Sequence, residues 1–273
     1  MAEVQFGLMM RAQFPPGDDM AARFGELVEQ ARLADRLGYA SITKGMHYSA
    51  APWQDLQQVP FLSRIMAEAP HMRLNFGLVL LSLHKPLDIA EQIATVDVMS
   101  GGRVIFGIAL GYRDVEYLAF GTTQKERVRR FEENLEAITR LWTEDTVNMA
   151  GSHFTLEGAS VGTKPVQKPH PPILMGGDGP TTFDRVIEFC DGWMPIGYRM
   201  PNVAEKIAAL HQRAQAAGRD PKSISITIFY ANPDPAAIEV LESAGVERSI
   251  FMVPPAERDT VLPLLDKYAA LIK

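Results

Sequence analysis

One histidine of the chain is placed where it could transfer protons. His47 lies in the segment KGMHYS, directly after a short apolar run that is typical of a β-strand. An imidazole changes charge near neutral pH, so it can accept or donate a proton during a reaction. A lone histidine is more often a hydrogen-bonded structural residue than a catalytic one. Its position at the end of a strand favours the catalytic interpretation, and both interpretations stay open at this point.

A second segment has the composition of an anion-binding loop. The run ILMGGDGPTT places glycines and two threonines ahead of a predicted helix, so backbone amides and the start of the helix could hold a phosphate. The same residues could instead form a tight turn with Thr181 or Thr182 as the helix N-cap, and spacing does not separate the two interpretations. A GxGxxG order and a Walker lysine are absent, which disfavours a dinucleotide-binding fold. The candidate residues of this loop are Gly176, Gly177, Asp178, Gly179, Thr181 and Thr182.

Large apolar side chains near the predicted strand ends are candidates for a substrate pocket. Most of the 13 methionines are expected to fill the core, but those near strand ends could also line an apolar site. Metal-ligand patterns such as HExxH or paired cysteines are absent, so no metal site is expected. The candidate pocket residues are Met9, Met10, Met46, Trp53 and Tyr112.

The elements that must position these residues alternate along the whole chain. Short apolar, β-rich runs are followed by longer segments with helical spacing, which is typical of parallel strands with helical crossovers. Eight strands are predicted, beginning near residues 4–10, 41–44, 73–80, 103–109, 172–175, 192–196, 223–230 and 248–253. Eight helices are predicted, near residues 24–37, 54–69, 87–99, 126–141, 181–190, 203–217, 236–244 and 256–271. This pattern favours an α/β fold with a closed (β/α)8 TIM barrel over an open sheet, with an irregular excursion at about 143–172.

Length and composition limit the remaining possibilities. With 273 residues and 47% hydrophobic content, residues 1–273 are expected to form a single barrel domain. The formal net charge of −6 offers no general attraction for nucleic acid or anionic membranes. The only cysteine, Cys190, has no partner for an internal disulfide, and the opening MAEVQFGLMM lacks the features of a secretory signal. We therefore expect a cytoplasmic protein with no nucleic-acid or membrane partner.

Three segments together resemble a known family. They are HKPLDIAEQIATVDVMSGGRVIFGIALGYRDVEYLAFG, the helix ERVRRFEENLEAITRLW, and KPVQKPHPPILMGGDGPTTFDRVIEFCDGWMPIG. In order and approximate spacing they are similar to the bacterial luciferase-like oxidoreductases, TIM-barrel proteins that bind a flavin or a deazaflavin. The likeness covers nearly the whole chain and is strongest to the compact subfamily often labelled deazaflavin-dependent.

The resemblance implies roles for several residues. His47 matches the histidine that serves as a catalytic acid/base in the luciferases, but Met46 stands where the family usually has an acidic residue. The loop at 176–182 matches the family's phosphate-binding loop. The Gly77–Leu78 bond matches a non-proline cis peptide next to the flavin ring, and Gly111 lies in the family's cofactor-contacting fourth-strand loop. In that loop, Leu110 replaces the luciferase arginine and Tyr112 replaces the glutamate of some deazaflavin enzymes.

The activity that the resemblance implies is oxidation of a small organic substrate by reduced FMN and oxygen. A separate flavin reductase would supply the reduced FMN, and a homodimer through the second and third helices is expected. One alternative is hydride transfer with the deazaflavin coenzyme F-420, whose anionic tail would need Lys44, Arg11 or Arg113 for charge compensation. Another alternative is a non-catalytic flavin-binding protein with the same fold.

Overall fold

The computed structural model describes residues 4–272. Residues 1–3 and 273, the two ends of the predicted domain, lie outside the described residues. In the described part of the chain the strands are β1 (Gln5–Met9), β2 (Gln13–Phe14), β3 (Ser41–Lys44), β4 (Gln54–Asp55), β5 (Arg73–Leu80), β6 (Val104–Ala109), β7 (Val147–Ala150), β8 (Thr155–Ala159), β9 (Ile173–Gly176), β10 (Gly192–Met194), β11 (Ser225–Phe229) and β12 (Arg248–Met252). The helices over the same residues are α1 (Met20–Arg36), α2 (Gln58–Ile65), α3 (Pro86–Ser100), α4 (Asp114–Ala119), α5 (Arg127–Thr143), α6 (Thr182–Phe189), α7 (Val203–Ala216), α8 (Pro235–Ser243) and α9 (Arg258–Ala269).

Eight of the strands described between residues 4 and 272 close into a parallel barrel. Around the ring the order is β1, β12, β11, β10, β9, β6, β5 and β3, which then pairs with β1 again. Each of these strands overlaps one of the eight apolar runs in the sequence. The predicted α/β fold with a closed TIM barrel is therefore confirmed.

Successive side chains of a barrel strand can belong to different buried clusters. Along β1, Phe6 and Leu8 belong to the larger cluster, which also contains helix side chains such as Leu27. Met9 belongs to a smaller cluster inside the barrel, because successive side chains of a strand point to opposite faces. The interior cluster consists of Met9, Ile105, Leu174, Met194, Phe229 and Ile250.

Helix starts and stops follow the local sequence signals. Asp19 caps α1 by accepting hydrogen bonds from the backbone N–H groups of Ala21 and Ala22. Pro86 lies in the first turn of α3, and Gly101 ends that helix with a positive φ of 68°. These signals explain why the predicted helix at 87–99 agrees closely with α3.

Two predicted segments differ from the structure. The helix expected at 54–69 is only α2, because its first residues form β4, which pairs antiparallel with β2. The Gln54 side chain contributes to this arrangement by donating hydrogen bonds to the carbonyl groups of Pro15 and Asp18. Helix α4 was not predicted at all. The irregular excursion contains the antiparallel hairpin β7–β8.

Cys190 follows α6 directly and is buried. Burial raises the pKa of its thiol well above the ordinary range. None of the helices between residues 4 and 272 has the length and hydropathy that a bilayer crossing requires.

Candidate active site

A histidine and a buried carboxylate meet at the carboxyl end of the barrel. His47 follows β3, and its Nδ1 lies 2.9 Å from Oε1 of Glu116, which belongs to α4. The glutamate side chain is 1% exposed, whereas the histidine side chain is 30% exposed. The histidine can therefore reach a ligand while its partner carboxylate is shielded from water.

The same carboxylate oxygen anchors the loop that carries the histidine. Oε1 of Glu116 also accepts a hydrogen bond from the backbone N–H of Tyr48 at 2.9 Å and one from the Arg113 guanidinium at 3.2 Å. Arg113 in turn donates to the carbonyl groups of Tyr48 and Ser49, at 2.9 and 3.0 Å. The hydrogen bonds that Glu116 accepts and Arg113 donates thus fix the loop after β3 in one position.

Glu116 is a site residue that the sequence reasoning missed. The acidic residue expected beside His47 is replaced by Met46, and the carboxylate comes instead from a position 69 residues later. The available signal was the run DVEYLA between Gly111 and Gly121, an acidic segment soon after a barrel strand. A carboxylate in a loop over the barrel mouth can reach any other loop there, whatever its sequence distance.

Lys44 at the end of β3 is engaged within the protein. Its Nζ lies 2.9 Å from Oδ1 of Asp55 and also donates to the carbonyl group of Gly45. The two side chains of this ion pair are 3% and 4% exposed. Burial lowers the pKa of Lys44, and the charge of Asp55 opposes that decrease. Lys44 is therefore a structural cation that ties the loop after β3 to the barrel.

The loop between β9 and α6 forms an open cradle. Gly177 has a φ of 101°, and a Cβ atom built there would meet only the Thr182 hydroxyl, 3.8 Å away. Thr181 occupies the N-cap position, but neither threonine makes a side-chain cap hydrogen bond to α6. The simple interpretation as a threonine-capped turn thus lacks its defining hydrogen bond. The Thr182 N–H donates to the carbonyl of Gly179, whereas the N–H groups of Phe183 and Asp184 have no side-chain acceptor.

An arginine that the sequence reasoning did not single out lies beside this cradle. Arg185 donates a hydrogen bond from Nη1 to the Thr181 hydroxyl at 2.8 Å and contacts Glu132 at 3.0 Å. It is 8% exposed, so its charge lies close to the protein surface without being freely solvated. Free helix amides, two hydroxyl groups and a guanidinium together fit a phosphate group.

The bulge in β5 lies next to the cradle. The register between β5 and β6 shifts between Phe76 and Val79, and the Gly77–Leu78 peptide bond within this bulge is cis, as the resemblance implies. Leu78 packs against the interior cluster. A Cβ atom at Gly176 would come within 2.1 Å of the Leu78 side chain, so only glycine permits this close approach. The structure therefore brings the bulge and the start of the cradle together.

The predicted pocket residues separate into two groups. Met9 faces the barrel interior, while Trp53 and Tyr112 are exposed, by 51% and 68%. The Tyr112 ring contacts the His47 ring edge-on, with centroids 5.9 Å apart.

The other two candidates, Met10 and Met46, lie in a different cluster from Met9, and a pocket role for them stays a prediction. Met10 and Met46 are buried in the larger core cluster, away from the interior cluster that contains Met9. For Met10 the reason is strand alternation, which turns it to the opposite face from its neighbour. Gly111, with a φ of 87°, lies against Tyr117, whose hydroxyl donates to the carbonyl of Leu110. A cofactor contact at Gly111 stays a prediction.

Comparison with known proteins finds relatives over most of the chain. The family model described as luciferase-like monooxygenase matches residues 4–244. An uncharacterized protein of Mycobacterium tuberculosis is 29% identical over 212 residues, covering 77% of this chain and 73% of that protein. The FMNH2-dependent dimethylsulfone monooxygenase of Pseudomonas putida is 26% identical, covering 73% of this chain and 56% of that protein. The F-420-dependent hydroxymycolic acid dehydrogenase of M. tuberculosis is 28% identical, covering 74% and 57%.

Solved structures share the fold across the full length of the chain. The monooxygenase RslO1 from Streptomyces bottropensis superposes with a TM-score of 0.84 at 22% identity and covers 98% of both chains. An F-420-dependent secondary alcohol dehydrogenase superposes with a TM-score of 0.79 at 18% identity, covering 99% of this chain and 98% of the other. Because these structures are only 22% and 18% identical to the chain, they show the fold alone. Membership in the family is shown by the family model, which matches residues 4–244. The chain belongs to the luciferase-like monooxygenase family, a group of oxidoreductases with FMN-dependent and F-420-dependent members.

Proposed function

We propose that this protein is a monooxygenase that uses reduced FMN and oxygen to oxidise a small organic substrate. The observation that carries the proposal is the 2.9 Å contact between His47 Nδ1 and the buried Glu116 carboxylate, at the same barrel end as the cradle and the β5 bulge. When bound, FMN would supply the electrons and the oxygen activation. The protein would supply binding, orientation and proton transfer.

The residues that would hold the cofactor follow from the geometry of the cradle. The phosphate group would accept hydrogen bonds from the amides at the start of α6 and from the hydroxyls of Thr181 and Thr182, with Arg185 providing positive charge. The bulge at Gly77 and Leu78 would support the ring system next to the apolar barrel interior. Held in this way, the cofactor would have its redox-active end toward the centre of the mouth.

The proposed role of His47 is to move a proton at its Nε2 atom. With Nδ1 donating to Glu116, the ring is held in one tautomer and one orientation, and Nε2 is left for a ligand. Tyr112 packs against the ring edge and limits its movement. A positioned acid or base of this kind typically contributes about 10²-fold to 10⁴-fold to a rate.

Two of the three cations that could compensate the anionic tail of coenzyme F-420 are engaged within the protein. Lys44 is buried in an ion pair and Arg113 is bound to Glu116 and two carbonyl groups, so Arg11 alone is left for the tail, which supports FMN. Leu110 stands where luciferases have an arginine. Hydride transfer with F-420 remains the second candidate, because a relative at 28% identity is an F-420-dependent dehydrogenase.

A side-by-side binding titration tests the cofactor class. FMN and F-420 are each titrated into the protein in oxidised and reduced form, and we expect FMN to bind at least about tenfold more tightly, equivalent to about 1.4 kcal/mol. Oxygen consumption with reduced FMN and candidate substrates then tests for turnover. Tighter binding of F-420 would favour the dehydrogenase, and cofactor binding without any turnover would favour a non-catalytic flavin-binding protein.

Two further proposals concern partners. We propose that a separate cytoplasmic reductase supplies reduced FMN, so turnover in a purified system should require an added flavin reductase or a chemically reduced cofactor. We also propose a homodimer, which sedimentation or light scattering would detect as twice the chain mass of 30.2 kDa. A monomeric mass at micromolar concentration would contradict the second proposal.

A further inference from the structure

Arg11 is a cation near the barrel mouth without a partner. It lies two residues beyond β1, and strand alternation puts it on the same face as Gly7 and Met9, toward the barrel interior. Among residues 4–272 its half-buried guanidinium makes neither a hydrogen bond nor an ion pair. Other arginines of this barrel end, such as Arg113 and Arg185, are bound to carboxylates. A partly desolvated guanidinium with free donors is a recognition group for an anion.

The position of Arg11 in the ring separates it from the phosphate cradle. Counting around the barrel in either direction, β1 and β9 are four strands apart in the ring of eight described strands. The loop after β1 and the loop after β9 therefore lie on opposite sides of the mouth. An anion bound at Arg11 would be a different group from the phosphate held at α6.

Tyr230 lies on the same side as Arg11 because of an unusual backbone conformation. It directly follows β11 with a φ of 58°, a left-handed value that bulky residues rarely adopt. In a regular strand Tyr230 would face away from Phe229, but here both rings pack together in the interior cluster, with centroids 4.2 Å apart. Burial raises the pKa of the Tyr230 phenol, and the charge of Arg11 opposes that rise, so the two groups lie within electrostatic range. The left-handed backbone thus keeps the Tyr230 ring beside Phe229 instead of on the opposite face.

Aromatic rings continue from this point around the mouth. Tyr198 stacks on Tyr230 with centroids 5.8 Å apart and an interplanar angle of 30°, yet it is 67% exposed. On the opposite side Tyr112 is equally exposed beside His47. Tyr112, Tyr198 and Tyr230 follow β6, β10 and β11, so all three phenols lie at the carboxyl end of the barrel. Exposed aromatic faces at a barrel mouth favour a planar, aromatic ligand.

We propose that Arg11 and the Tyr230 hydroxyl bind the anionic oxygen group of an aromatic substrate, whose ring lies among the three tyrosines. This inference rests on the proposed function, since it places that substrate beside His47. It assigns the substrate class as small aromatic acids. The carboxylate would accept hydrogen bonds from the guanidinium and from the phenol, and the ring would face the proposed cofactor position.

Ligand binding to the protein without cofactor tests the inference. Benzoate is the probe, and benzyl alcohol is its uncharged counterpart; both are titrated by calorimetry or by ligand-observed NMR. We expect a preference for benzoate of about tenfold or more in the wild type, falling to about threefold or less in Arg11→Gln. Tyr230→Phe should weaken benzoate binding several-fold and leave benzyl alcohol unchanged. Arg199→Gln is the matched control, because Arg199 is a nearby cation that lies over the Tyr198 ring, and this variant should keep the preference.

The outcomes separate this inference from the proposed function. A wild-type protein without preference for benzoate, or a preference lost in Arg199→Gln and kept in Arg11→Gln, would overturn the subsite. Loss of FMN binding in Arg11→Gln would also overturn the subsite, because Arg11 would then belong to the cofactor site. A benzoate preference that depends on Arg11 in a protein that binds neither FMN nor F-420 would support the subsite while refuting the proposed cofactor chemistry.

Discussion

Glu116 carries an unusual concentration of contacts for a single side chain. One of its oxygens is shared by His47, the Tyr48 amide and Arg113, whereas Oε2 is buried without any hydrogen-bond partner among the described residues. A buried acceptor without a donor is costly, and such groups persist where function requires them. The main role of the carboxylate is therefore to position the loop that carries His47, and not to stabilise the fold.

Replacement of Glu116 with Gln should reduce turnover by about 10-fold to 100-fold with little effect on cofactor affinity, because the histidine loses the charge that orients it. Steady-state kinetics with reduced FMN measure the effect. Glu136→Gln, at an exposed position of α5, is the control and should behave as the wild type. In the double variant with His47→Gln the losses should not add, since both residues act in one unit. Additive losses would show that the two side chains act independently.

A second histidine, His84, has a pKa that burial lowers against the opposing charge of Asp88. His84 is 9% exposed, its Nε2 has no hydrogen-bond partner in the described chain, and its ring lies near the rings of Tyr48 and Phe120. Burial lowers the pKa of His84 to about 4. The folded protein therefore holds this imidazole in its neutral form under ordinary conditions.

This burial predicts acid sensitivity with a defined sign. An unfolded histidine has a pKa of about 6.5, so the unfolded chain takes up the proton first and stability falls as the pH drops from about 6.5 toward 4. Between about pH 7.5 and pH 5 the loss attributable to His84 is about 2 kcal/mol. In His84→Phe this part of the loss should disappear when urea unfolding is compared at the two pH values. An unchanged pH dependence in the variant would contradict the assignment.

At the scale of elements, helix α4 and the turn that precedes it determine whether Glu116 reaches His47. Gly111 begins the turn into α4 with a φ of 87°, and a Cβ atom there would lie 3.0 Å from the Tyr117 hydroxyl. That hydroxyl holds the Leu110 carbonyl at 2.7 Å. A side chain at position 111 would therefore displace the helix that carries Glu116.

The pair Gly111→Ala and Gly121→Ala tests this coupling. Both glycines have positive φ, but a Cβ atom at Gly121 would meet nothing within 4 Å. Each variant should lose about 1–2 kcal/mol of unfolding free energy from the left-handed backbone, measured by urea denaturation. Only Gly111→Ala should also lose turnover, because only there must Tyr117 move. Equal activities in the two variants would argue against α4 as the element that sets the site geometry.

The limits of the barrel strands and long helices were predicted from the sequence more accurately than those of the shortest elements. Strands β5 and β3 and helix α3 were located almost to the residue, because apolar runs, Pro86 and Gly101 define their limits locally. The pair β2–β4 was missed, since two-residue strands contain no periodicity and exist only through pairing between distant loops. Helix α4 was missed for a related reason, because six residues with exposed Val115 and Leu118 show no amphipathic pattern.

At the scale of the whole molecule, the barrel could be predicted because its alternation of strands and helices is repeated eight times. The site could be predicted only in part. His47 and the glycine loop have local signals, and Arg185 lies one helical turn from Thr181, but Glu116 and the pair of Arg11 and Tyr230 become neighbours of other site residues only when the ring closes. Met9 and Met10 show the same limit, because neighbouring residues of a strand point to opposite faces and here belong to different clusters.

Cofactor binding should stabilise the entire barrel. A ligand at about 100 times its dissociation constant adds about 2.7 kcal/mol to the unfolding free energy. FMN should therefore raise the urea midpoint, and riboflavin at the same concentration should raise it less because it lacks the phosphate for the cradle at Gly177 and Arg185. Equal shifts from both flavins would mean that the cradle does not bind the phosphate.

The buried, weakly acidic thiol of Cys190 has a practical consequence for spectroscopy. Because it is the chain's only cysteine and alkylating reagents attack exposed thiolates, the native protein should remain unlabelled by maleimides. A cysteine introduced at an exposed rim position would then carry a fluorophore or spin probe without removal of any native residue. Distances across the opening could be followed in this way during catalysis.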